Sequence, residues 1–82
     1  MKHRRRIKIV ERKLGRSRVW GFAYGDGIVE IDPRQRPQRY LDTLCHELLH
    51  LAFQNASETK ILKATRIVRR GLWDQNYRKV AQ

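Results

Sequence analysis

The 82-residue chain contains one cysteine, two prolines, five glycines and only eight acidic residues. Each scarcity excludes something. With Cys45 alone, no internal disulfide can form, and a reducing, intracellular setting is expected. No apolar run approaches the roughly 20 residues that a membrane-spanning helix needs. The opening Met1-Lys2-His3-Arg4-Arg5-Arg6 is basic like the start of a secretory leader, yet no continuous apolar segment follows it. Repeats, low-complexity tracts and linkers are lacking, and two cores would not fit this length. Residues 1–82 therefore read as one domain, with residues 1–6 as a basic N-terminal arm and the cytoplasm as the expected location. A domain of this size buries only about 60% of the surface its unfolded chain exposes, so a bound metal would be a welcome tie.

The shortage of acids has its own consequence. Nineteen Lys and Arg stand against eight Asp and Glu, for a formal net charge of +11, and thirteen of the basic residues are arginine. Guanidinium groups suit bidentate contact with phosphate or carboxylate. Such a chain will attract polyanions at low salt because released counterions favour the complex. Two readings stay open: a solubilising surface, or a surface for nucleic acid or an acidic partner. No nucleic-acid fold motif accompanies the charge.

The first third reads as β-structure. Ile7 and Ile9, with Glu11, alternate with basic residues between Arg6 and Leu14, which predicts a half-buried strand. Val19, Trp20, Phe22 and Tyr24 make a second β-prone run. Gly25-Asp26-Gly27 then offers a tight hairpin turn into a third strand over residues 28–31, stopped by Asp32-Pro33. From about residue 38 to 53 the period changes to 3.6, with Leu41, Leu44, Cys45, Leu48, Leu51 and Ala52 on one side. Ser57 is a good N-cap for a second helix, whose buried stripe is Ile61, Thr65, Val68 and Leu72. That helix is expected to run past Gly71 through Trp73, with Asn76 taking the left-handed capping position. Trp20, Trp73 and Phe53 are expected in the core. The fold class is α+β: a three-stranded antiparallel β-meander followed by two helices.

The chemistry lies in His46-Glu47-Leu48-Leu49-His50. Two histidines four apart on a helix share a face, so both can bind one ion. They fall on a different side from the leucine stripe. Glu47, directly after the first histidine, is placed beside the metal, where a carboxylate can take a proton from water that zinc has acidified. A catalytic zinc site takes three protein ligands. After His50 there is no further histidine or cysteine, and only Glu58 and Asp74 remain as acids. Glu58, just beyond a short turn, is favoured; it also suits the first turn of a helix through the dipole. Asp74 and His3 stay open as alternatives. Cys45 points to the core side and reads as a small buried apolar residue. Tyr40, Tyr77 or an arginine are the candidates for stabilising an oxyanion. The opposing reading has no metal, with the two histidines filling a polar cavity or facing solvent.

Over residues 28–80 the sequence resembles the zincin superfamily, and more narrowly the small gluzincin-type and SprT-like metalloproteins of phages and prophages. The resemblance rests on the strand Ile28-Val29-Glu30-Ile31-Asp32, on Leu41-Asp42-Thr43-Leu44 leading into His46-Glu47-Leu48-Leu49-His50, on Ser57-Glu58, and on the ending Leu72-Trp73-Asp74-Gln75-Asn76-Tyr77-Arg78. It implies a minimal zincin-like fold, Zn2+ as cofactor, and metal ligands at His46, His50 and Glu58. It further implies that residues 28–32 line the cleft and pair with an extended substrate. The expected activity is hydrolysis of a protein or peptide with Glu47 as general base. The alternative is a metal-stabilised, non-catalytic regulator of phage type that binds host protein or nucleic acid; for a phage-encoded chain the compartment is the host cytoplasm.

Overall fold

The computed structural model describes residues 6–15 and 19–80. Three strands, β1 (Lys8–Glu11), β2 (Gly21–Ala23) and β3 (Ile28–Ile31), precede two helices, α1 (Pro37–Ala52) and α2 (Glu58–Asp74). The sheet is mixed, in the order β1-β3-β2. β2 and β3 form the expected hairpin. Gly27 closes the turn at φ 97°, a left-handed conformation that glycine adopts without cost, and its N–H donates to the Tyr24 carbonyl at 3.0 Å.

The antiparallel meander is corrected at β1, which pairs with β3 in parallel, Lys8 opposite Ile28 and Glu11 opposite Ile31. The alternating pattern locates a strand but carries no record of its neighbour or its direction. Residues 12–20 are long enough to carry the chain past the end of β3 to its other side. Within that passage Leu14 is buried, and its N–H donates to the Asp32 carboxylate at 2.8 Å. Asp32 also accepts from the Arg34 backbone and guanidinium, the shortest bond being 2.7 Å. One buried carboxylate thus fixes both the crossing segment and the exit from β3.

Val29 and Ile31 are fully buried and meet Tyr40, with Ala23, Leu44, Leu48 and Leu51 packed around them. Burying a side chain of this kind contributes about 1.5–3 kcal/mol. α1 therefore lies on one face of the sheet, as its leucine spacing requires. The expected burial fails at the aromatics and at the first strand. Trp20 is 46% exposed, Phe53 58% and Ile7 51%, while Trp73 is half-buried under the Arg78 guanidinium at 3.4 Å from its ring centroid. Among the described residues no helix covers the outer sheet face, where Phe22 and Tyr24 stack on each other and Tyr24 bonds Glu30.

α2 packs on α1 and on no strand. The Ser57 hydroxyl accepts from the Lys60 N–H, capping the helix as expected. Ile61 and Thr65 are buried and Leu72 half-buried, whereas Val68 is 40% exposed. The helix passes Gly71 and ends with Asn76 at φ 70°. Asn76 N–H donates to the Trp73 carbonyl and Tyr77 N–H to that of Leu72, the paired bonds of a Schellman motif. Among the described residues no helix is long and apolar enough to cross a membrane.

Candidate metal centre

α1 begins with Pro37 at its first turn, where a missing N–H costs nothing. The helical period then sends Leu41, Leu44 and Leu48 toward the sheet and the second helix, and His46 and His50 toward the end of α1 that meets α2. Their Nε2 atoms stand 3.1 Å apart, with the rings edge to face. The short turn after α1 returns the chain so that Glu58, the first residue of α2, reaches both imidazoles. Its Oε2 lies 3.2 Å from His46 Nε2 and its Oε1 3.1 Å from His50 Nε2.

The donor set fits a divalent transition metal. Two imidazole nitrogens and a carboxylate oxygen lie within 4.8 Å of one another. Ligand bonds of about 2 Å put the ligand atoms of one tetrahedral ion roughly 3.3 Å apart, close to the separations seen. Imidazole with one carboxylate is a set that zinc accepts, with a fourth position left open. Asp74 closes α2 at its opposite end, about 24 Å along the helix by its rise per residue. It takes no part in the cluster, and His3 lies outside the described residues.

Glu47 is half-buried at the floor of the surrounding cleft. One part of that cleft, about 300 Å³, is lined by Trp20, Gly21, Thr43, His46 and Glu47 among others. The adjoining part, about 320 Å³, is lined by Gly21, Phe22, Ala23, Glu47 and His50 with Val19. Burial pushes the Glu47 carboxyl above the usual carboxylate range; His46 and His50 oppose this, and Glu58 adds to it. A carboxylate so placed has a raised proton affinity, which suits a proton acceptor.

The strand beside the site is β2, whereas the expected substrate-pairing strand was residues 28–32. β3 is the central strand, with both edges already paired, so it has none to offer. β2 is an edge strand, and its backbone lies against α1 at Gly21. A Cβ there would stand 2.5 Å from Thr43 Cγ2 and 3.1 Å from Glu47 Cγ. Gly21 is the residue that sequence reasoning missed, and a signal existed: a lone glycine inside a β-prone aromatic run marks a close backbone approach.

The other nominated residues are elsewhere. Tyr40 is buried and donates to Glu11 at 2.6 Å, in a cluster with Lys79 beside a separate cavity of about 370 Å³. Tyr77 follows α2 and is 64% exposed. Among the described residues no arginine lines either part of the cleft. Cys45 is buried as expected, and burial pushes its thiol pKa up. No protein-family model, no curated protein and no solved structure matches this chain.

Proposed function

We propose that this protein is a zinc-dependent metallopeptidase. The observation that carries the reading is the convergence of His46, His50 and Glu58 beside a half-buried Glu47, next to β2, an edge strand among the described residues. The same convergence supports the resemblance to small gluzincin-type and SprT-like proteins.

His46 and His50 would hold the metal through Nε2 and Glu58 through a carboxylate oxygen. Zinc would supply a Lewis acid that makes water nucleophilic near neutral pH and polarises a carbonyl. Glu47 would take the proton from the attacking water on its carboxylate and pass it to the leaving amine nitrogen. The unpaired edge of β2 would hold an extended peptide by backbone hydrogen bonds, leaving side-chain selection loose. An unstructured polypeptide is therefore the substrate class. Its lone, buried cysteine supports a reducing compartment such as the cytoplasm, that of the host cell if the chain is phage-encoded.

Glu47→Gln tests the reading. The variant should retain one zinc per chain while cleavage of an unfolded polypeptide falls by about 10²–10⁴, the usual contribution of a general base. Full cleavage by a metal-loaded Glu47→Gln protein would overturn it.

A further inference from the structure

The charge of the chain is not evenly compensated. Four acids of the sheet and α1 side are paired: Glu30 with Arg12, Asp32 with Arg34, Asp42 with Arg69 of α2, and Glu11 with Lys79. Glu58 is turned back to the histidines. Between Glu58 and Asp74 the second helix holds Lys60, Lys63, Arg66, Arg69 and Arg70 and no acid. Among the described residues, Arg69 is the one of these that makes an ion pair.

The unpaired cations are also aligned. Ile61, Thr65 and Leu72 define the face packed on α1; at 100° per residue, Lys63, Arg66, Ile67 and Arg70 stand on the opposite face. They share one shallow groove, and Ile67 at its centre is 74% exposed. Because α2 touches no strand, this face is an outer wall of the molecule. The row from Lys63 to Arg70 covers about 10 Å.

We infer that this face of α2 binds the phosphate backbone of duplex nucleic acid. Arginine forks match phosphate oxygens bidentately, and lysine adds point charge. No aromatic side chain stands between Lys60 and Arg70 to stack on unpaired bases, which favours a duplex over a single strand. The face also lacks Asn and Gln, the side chains that read adenine edges. A protein partner would need an apolar centre with aromatic anchors, and Ile67 is the single apolar residue in the row. The inference does not depend on the metal reading.

Two triple variants of equal net charge test it. The first is K63Q/R66Q/R70Q. The second, K8Q/R36Q/R39Q, removes three exposed cations from the sheet and α1 side. Affinity for a mixed-sequence DNA duplex is measured between 50 and 200 mM salt. Each lost phosphate contact lowers the slope of log affinity against log salt by about 0.9. The α2 variant should lose about 2.7 from the slope, so that the parent weakens roughly 40-fold more than the variant over this range. The sheet-side variant should keep the parent slope. Unaltered circular dichroism and thermal unfolding in both variants show that each is folded. Equal losses in the two variants would make the attraction a matter of net charge and overturn the proposal. Competition by polyglutamate as strong as that by duplex would also overturn it, in favour of an acidic protein partner.

Discussion

Glu58 Oε1 stands 3.1 Å from His50 Nε2, so the first residue of α2 is joined to the last turn of α1 at the candidate metal centre. Glu58→Gln keeps the shape and removes the charge. Zinc affinity, measured against a competing chelator, should fall at least tenfold, roughly the minimum seen when even an outer-shell partner of a ligand is lost. Unchanged affinity would remove Glu58 from the ligand set.

Gly21→Val introduces a Cβ where Thr43 Cγ2 lies 2.5 Å away and Glu47 Cγ 3.1 Å away. Either β2 moves off α1 or Glu47 shifts. Overpacking of this kind costs about 1–3 kcal/mol. Denaturant unfolding should show that loss, and peptide cleavage should drop together with it while zinc remains bound. A variant as stable as the parent would show that β2 and α1 are not in close contact at this point.

Ile61 is 1% exposed and fills the junction between the helices. Ile61→Ala should cost about 2–5 kcal/mol, the usual range for an aliphatic side chain truncated to alanine in a core. Because α2 has no second support, the loss should appear as reduced helicity at moderate temperature and weaker zinc binding. Stability within about 0.5 kcal/mol of the parent, a surface-like effect, would contradict the packing described.

Asp32 gives the fold an acid-sensitive joint. The Arg34 guanidinium, followed by the N–H groups of Leu14 and Arg34, holds its carboxyl well below the usual range despite burial. A depressed carboxylate pKa means that the unfolded chain takes up the proton first. Its stabilisation is therefore complete above about pH 4 and is lost as pH falls below that value. Asp32→Asn should lower the melting temperature at pH 7 and flatten its decline between pH 5 and 3. If parent and variant decline in parallel, Asp32 is not the group responsible.

What could be read from the residues in advance was local. Ser57 and Asn76 act within one turn of their own positions, the hairpin follows from Asp26-Gly27 alone, and Glu58 needed only the short turn between the helices to come back to the histidines. The histidine spacing needed only a helix to put both rings on one face. Strand order was not legible, because β1 pairs with β3 and not with the next strand in the chain, an arrangement secured where Leu14 and Asp32 meet across the fold. Phe53 is exposed because it caps the end of α1; the burial of Trp20 failed for a reason related to the strand order. β-propensity and size mark a residue as suited to a sheet, but not whether a second layer covers that face. The cleft was hidden too, since it forms where β2 crosses α1, two elements far apart in the chain.

Among the described elements α2 rests on a single neighbour, α1, through a narrow stripe headed by Ile61 and Thr65. Elements held this way open separately from the rest, and their backbone amides exchange with solvent long before the global transition. Glu58 sits at the N-terminal end of that element, so an ion shared with His46 and His50 would work as a latch on it. Ligand binding to the closed state alone lowers the population of the open one in proportion to saturation. Amide exchange in residues 58–74 would then gauge metal occupancy, readable without any substrate.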